Sequence, residues 1–243
     1  MVDQLKVNRG WAYLADNGLN MSAVFQLDQL PDDLTKMLND AEVPLADHSR
    51  LVLLGNGGPH FWKKLDENGW QDEDPIDRFS LALTRNFVEM IGGAVDYHSY
   101  LNLYPLSSHV IPLQRLGALA GWGHPSPIGP FISGRYGLWF AYRSAFLTNL
   151  PLDSGSSEAH LPLPCDTCKD KPCQIVCPAS AIQVGDPIAL NACITHRLTP
   201  KSSCAATCLA RIACPVGREH RYPKEVISRL YRHSLGGLRQ WLT

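Results

Sequence analysis

The sequence predicts an α+β chain in two parts: an α/β part over residues 1–155, then a small cysteine-rich part with a closing helix over 156–243. Three observations carry this. Strand-like and helix-like apolar patterns follow one another along the first 150 residues. A stretch rich in Pro, Ser and Gly, 150–164, reads as a linker. All eight cysteines of the 243-residue chain then fall between 165 and 214.

The elements follow in order. Residues 20–27 (NMSAVFQL) read as a strand. Residues 31–41 read as a helix, with Pro31 in its first turn and Asp32 and Asp33 near the positive end of the helix dipole. Residues 50–54 (RLVLL) are an apolar run of buried-strand type, and Gly55-Asn56-Gly57-Gly58 is expected to close it as a turn. Residues 77–91 place apolar side chains at helical spacing, and Gly92-Gly93 should end that helix. Residues 97–104 alternate as a strand does, 112–119 read as a helix, and 121–134 as a Gly/Pro-rich loop. Residues 136–147 are apolar and aromatic, a strand pair or one bent strand. Further on, 179–184 (ASAIQV) suits a short helix. Residues 223–242 form the closing helix, with a core-facing stripe of Val226, Leu230, Leu235, Leu238 and Trp241.

Composition narrows the class. Hydrophobic residues make up 45% and charged residues 19% of the chain, which is ordinary for a globular protein. No run of eighteen apolar residues exists, so no membrane association is expected. The N-terminus lacks the basic-then-apolar pattern of a secretory leader, so a cytoplasmic address is expected. The net charge is −1 but uneven. Residues 1–100 are acidic, whereas 209–243 carry Arg211, Arg218, Arg221, Lys224, Arg229, Arg232 and Arg239 against Glu219 and Glu225. Such a basic tail suits docking of an acidic electron donor, or it is a solvated helix face. A pI near 6.7 does not suggest a nucleic-acid partner.

The cysteines read as two groups. The first is Cys165-x2-Cys168-x4-Cys173-x3-Cys177-Pro178; the second is Cys193, then Cys204-x3-Cys208-x5-Cys214-Pro215. Clustered thiols in a chain without an export signal point to metal ligands rather than disulfides. Eight thiolates make two full sets for [4Fe–4S] clusters. In bacterial two-cluster ferredoxins three close cysteines hold one cluster, and the cysteine before proline ligates the other. By that pattern one cluster takes Cys165, Cys168, Cys173 and Cys214, and the other Cys177, Cys193, Cys204 and Cys208. The gaps are longer than the usual ones, and two four-cysteine zinc sites are the alternative. Cys204 and Cys208 stand at i, i+4 and would share a helix face if that segment is helical. The cysteine segment is poor in apolar residues, so metal staples would have to supply its core.

These residues carry a family resemblance. The cysteine order, with Cys193 in the phrase ACITHRL, resembles that of the cobalamin-dependent iron–sulfur reductases, the epoxyqueuosine reductases and reductive dehalogenases. So do the Pro-led helix at 112–119, Ala120-Gly121-Trp122-Gly123, Tyr136-Gly137 and the phrase LTNLPL at 147–152. The resemblance covers about residues 105–216. It implies a nitroreductase-like α/β domain that binds a base-off corrinoid, followed by a bacterial-ferredoxin-like two-cluster domain. A low-potential donor, a ferredoxin or flavodoxin, would feed electrons through the clusters to cobalamin, which either reduces a small substrate or is itself the substrate. A ferredoxin-like carrier without corrinoid is the remaining reading.

The resemblance also nominates site residues. Gly121 and Gly123 would let backbone approach a planar cofactor. Trp122, His124 and Tyr136 would line its pocket, and Arg135 and Arg143 would meet propionamide groups or an anionic substrate. Where the family carries an acidic proton donor, this chain has Pro105-Leu106-Ser107-Ser108-His109-Val110, so His109 is the catalytic candidate. His196 stands near Cys193 and would tune that cluster by hydrogen bonding. The helical-repeat extension expected for tRNA recognition in epoxyqueuosine reductases is not read here, so that family's own reaction is not expected of this chain.

Overall fold

A computed structural model describes residues 4–69, 74–92, 96–159, 161–183 and 185–241, with backbone alone at 240 and 241. The chain divides into two compact units: Met1–Trp122 with Phe140–His160, and Gly123–Trp139 with Leu161–Thr243. The stretch Gly123–Trp139 thus belongs with the cysteine segment.

Unit 1 is built on a five-stranded antiparallel sheet. Its strands are β1 (Met21–Gln26), β2 (Arg50–Gly57), β3 (Leu101–Tyr104), β6 (Phe140–Thr148) and β7 (Gly155–Ser156), in the order β3-β6-β2-β1-β7. The expected linker thus contributes the short edge strand β7, which pairs with Ala23 and Val24. β2 is buried from Leu51 to Gly57, and Val52 stands opposite Phe146. Helices α1 (Gln4–Asp16), α2 (Asp32–Asp40), α3 (His60–Asn68), α4 (Pro75–Met90) and α5 (Leu113–Leu119) complete the unit. Among the described residues, Trp62, Trp122, Phe61, Phe87 and Phe146 are its largest fully buried side chains, each contributing roughly 1.5–3 kcal/mol on burial.

Three local expectations are corrected. Gly55-Asn56-Gly57 is strand, not turn: a Cβ on Gly55 would lie 2.7 Å from the Trp122 ring and 2.8 Å from the Ala141 carbonyl oxygen, so the glycine serves close packing. The strand expected over 97–104 begins only at Leu101, because the Asp96 carboxylate accepts hydrogen bonds from the N–H groups of His98 and Ser99 and turns the backbone. Residues 140–148 form one strand, and a turn closed by Trp139 N–H on the Tyr136 carbonyl precedes it.

Unit 2 holds a short hairpin, β4 (His124–Pro125) with β5 (Phe131–Ile132), and helices α6 (Pro172–Ile175), α7 (Leu190–Leu198), α8 (Leu209–Ala213) and α9 (Lys224–Trp241). Its core joins Ile128, Ile132 and Leu138 to Ile182, Ala210 and Cys214, with Cys165, Cys173, Cys177 and Cys208 packed against them. The inserted stretch Gly123–Trp139 therefore supplies apolar surface that the cysteine segment lacks. No helix forms over 179–183; Ser180 turns left-handed at φ +48. Of the expected positions, Gly93, Val184, Leu242 and the Trp241 side chain lie outside the described residues. Among the described residues no helix is long and apolar enough to cross a membrane.

Candidate metal centre

Two short helices distribute the cysteines of unit 2. Lys171, left-handed at φ +43, turns the chain into α6, which carries Cys173, with Cys177 two residues past its end. Helix α8 is flanked by Cys208 at its N-cap and Cys214 at its C-cap. The residues from the two helices then part into two sets.

One cavity, about 30 Å³, is lined by Cys165, Cys168, Cys173 and Cys214, together with Lys171 and a largely proline and aliphatic wall. The other, about 290 Å³, is lined by Cys177, Cys193, Cys204 and Cys208, together with His196, Arg197 and Tyr231. Cys193 comes from the middle of α7. Cys204 lies in a turn and Cys208 is extended at φ −127 and ψ 112, so these two do not share a helix face as the spacing had suggested. Cys208 is instead the N-cap of α8, and its Sγ accepts the Arg211 N–H at 3.5 Å.

All eight cysteines are free thiols, Cys204 and Cys214 buried and the rest half-buried. Desolvation by burial raises the pKa of Cys165, Cys173, Cys193, Cys208 and Cys214 above the usual thiol value. Like-charge repulsion adds to this within each set: Cys214, Cys173 and Cys168 act on Cys165, while Cys208, Cys177 and Cys204 act on Cys193. Backbone N–H groups work in the opposite direction, from Arg211 on Cys208, Val216 on Cys214 and Gln174 on Cys173. Among the described residues no three His, Cys, Asp or Glu side chains stand close enough to share one metal ion.

The other nominated residues divide between the two units. Gly121 and Trp122 belong to unit 1; Gly123, His124, Arg135 and Tyr136 belong to unit 2. Gly121, at φ +75, ends α5: its N–H reaches the Ala118 carbonyl at 3.0 Å, and the next N–H, of Trp122, reaches Gly117 at 2.9 Å. That is a Schellman cap, which accounts for the glycine without a ligand. Trp122 is fully buried, with its indole N–H on Ser156 Oγ at 3.2 Å, and stacks on Tyr142. Tyr136 is buried against His220, with Arg135 over its ring, and His124 Nε2 lies 3.3 Å from the Leu161 carbonyl. His109 Nδ1 lies 3.2 Å from the Ala41 carbonyl and, since that oxygen can only accept, donates to it.

Arg143 is among the nominated residues, but its partners in unit 1 escaped the sequence. Arg143 places its guanidinium over Phe61 and Trp62, at 4.8 and 4.9 Å, and donates to the fully buried Asn56 at 2.6 Å. Burial raises the pKa of Asp77 and of Tyr104, and Arg143 pulls both back. Nothing in local spacing links residues 56, 77, 104 and 143; strands β2, β3 and β6 and helix α4 carry them, so only the tertiary fold brings them together.

No protein-family model matches the chain, and no curated protein matches it in sequence. Solved structures do resemble it. Epoxyqueuosine reductase from Streptococcus thermophilus superposes with a TM-score of 0.55 at 15% identity, over 90% of this chain and 67% of that one. Epoxyqueuosine reductase from Bacillus subtilis gives 0.55 at 14% identity, over 91% and 67%. A third, epoxyqueuosine reductase with an epoxyqueuosine-modified tRNA stem loop, also gives 0.55 at 14% identity, over 91% and 67%. The chain therefore shares the epoxyqueuosine reductase fold. The tRNA in the third structure leaves the expected absence of a nucleic-acid partner without support from these neighbours.

Proposed function

We propose that the chain is an iron–sulfur reductase whose two cysteine quartets each hold a [4Fe–4S] cluster and pass single electrons to an acceptor bound by the α/β unit. The carrying observation is the sorting of all eight cysteines, four and four, around two cavities of unit 2. The donor set fits the group. Four soft thiolates around a central space, with backbone N–H groups directed at three of the sulfurs, suit a cube of iron and sulfide. A single zinc ion needs its four sulfurs within about 4 Å of one another, since each Zn–S bond is about 2.3 Å. The clusters would supply low-potential one-electron transfer, and the stretch 209–243, with seven Lys and Arg against two Glu, suits docking of an acidic electron carrier.

The acceptor in this reading is a corrinoid, and its support is the shared fold together with the sequence resemblance. Two of the residues first named for it have structural explanations of their own: Trp122 is core and Gly121 is a helix cap. His109 is the group offered for proton transfer. The Ala41 carbonyl fixes its Nδ1 as a donor and so leaves Nε2 to exchange the proton. A second reading, in which the corrinoid itself is the substrate, is favoured by one observation: residues 105–110 contain no Asp or Glu. The electron donor is a reduced ferredoxin or flavodoxin.

The test is anaerobic purification with iron, sulfide, zinc and cobalt counted per chain, then titration with hydroxocobalamin. About eight iron, with a base-off spectrum on adding the corrinoid, is the expected result. Eight iron without a corrinoid response reduces the protein to an electron carrier. Zinc in place of iron removes the reading.

A further inference from the structure

We infer that His196 sets the potential of the cluster held by Cys177, Cys193, Cys204 and Cys208, by donating its Nε2–H into that cavity; the inference rests on the iron–sulfur reading above. Cys193, His196 and Arg197 stand at i, i+3 and i+4 on α7, so one face of this helix presents a thiol and two nitrogen-bearing side chains. Both His196 and Arg197 line the cavity. Arg197 is anchored from outside: its guanidinium donates to the Tyr231 carbonyl at 3.0 Å and to Ser234 Oγ at 3.3 Å, and lies over the Tyr231 ring at 5.2 Å. This ties α7 to α9 and fixes the face that α7 turns inward.

The His196 Nε2 atom is buried and has no hydrogen-bond partner among the described residues. A buried donor left unmade costs about 1–3 kcal/mol, so a fold that keeps one has a use for it. The cavity offers the acceptors: cluster sulfides and thiolates are anionic sulfur. A quartet of thiolates around a [4Fe–4S] core becomes more negative on reduction, so a hydrogen-bond donor stabilises the reduced form and raises the midpoint potential. Among the described residues, Lys171 is the cation lining the other cavity, and its ammonium donates to the Cys165 carbonyl at 3.0 Å.

The experiment uses the full chain, purified anaerobically and reconstituted with ferrous iron and sulfide, with redox potentiometry followed by EPR. In His196→Leu one of the two couples falls to lower potential and the other stays in place. His196→Gln, which keeps an N–H donor, restores it. Two couples unmoved in His196→Leu, with iron content kept, overturn the inference while leaving the two-cluster reading intact. Zinc in the wild-type chain overturns both. If His196→Leu fails to load iron, histidine-15N hyperfine coupling decides: the reduced wild-type cluster shows it and His196→Gln loses it. A wild-type spectrum without that coupling overturns the inference.

Discussion

Gly137 and Gly217 meet back to back. A Cβ on Gly137 would lie 2.0 Å from the Val216 carbonyl oxygen, and one on Gly217 would lie 2.4 Å from the Tyr136 carbonyl carbon. Both are left-handed, at φ +58 and +64. The contact fastens the stretch Gly123–Trp139 to the chain just beyond Cys214-Pro215. Gly217→Ala has to bear the left-handed penalty and a backbone clash together, about 2–5 kcal/mol. Gly237→Ala, in α9 with open space around it, is the control and gains up to about 1 kcal/mol. Denaturant unfolding of the two variants should therefore shift in opposite directions.

Cys204→Ser tests the grouping of the thiols. Serine offers a hard, weakly acidic oxygen where soft iron–sulfur chemistry needs a thiolate. The variant should lose about half of its roughly eight iron and keep the EPR signal of the Cys165 quartet. Two intact signals would break the assignment of Cys204 to the Cys177 set.

The iron-free chain should lose stability as the solution turns alkaline. Burial and mutual repulsion raise the folded-state pKa of Cys165, Cys173, Cys193, Cys208 and Cys214. The folded chain thus keeps protons that the unfolded chain has released. That stability is fully present below the ordinary thiol value, about 8.5, and disappears as pH rises through the raised values. Thermal melts of reduced, chelator-treated protein should fall between about pH 8 and pH 10. Melts of the iron-loaded protein should stay flat over the same range, because its thiolates are already deprotonated on iron. Parallel curves for the two forms would deny that iron sits on these thiols.

The glycines show what was legible and what was not. The sequence reads glycine as punctuation, and that reading holds at Gly121, where α5 stops. It fails at Gly55, which is strand, and it says nothing of Gly10 inside α1, where a Cβ would lie 2.8 Å from Ile91. In both cases a partner distant in sequence, Trp122 or Ile91, demands the missing side chain, and no local window contains it. Helix α3, likewise unanticipated, follows directly from a strand that local turn chemistry had closed too early. The cysteines were easier, because spacing and the Cys-Pro pairs reflect short-range wrapping by α6 and α8. The partners of Arg143, namely Asn56, Asp77 and Tyr104, were invisible for the same reason as Gly55: the packing of strands and α4, not spacing, assembles them.

His109 separates a structural role from a chemical one. Its Nδ1 bond to the Ala41 carbonyl secures the segment after Pro105 to the end of α2. His109→Ala removes one hydrogen bond of about 0.5–1.5 kcal/mol, which lowers the melting temperature by roughly 1–6 °C in a chain of this size. His109→Asn, whose side-chain amide also donates, should recover part of that loss. Iron content and both cluster signals should be unchanged in either variant, since the residue lies in unit 1. If Nε2 passes a proton during reduction, both variants should slow turnover of the first reducible substrate by about 10²–10⁴. The asparagine variant then restores stability without restoring rate. Full turnover in His109→Ala would leave the histidine as a tether alone and turn the search for an acid to Asp77, whose raised pKa suits a proton donor.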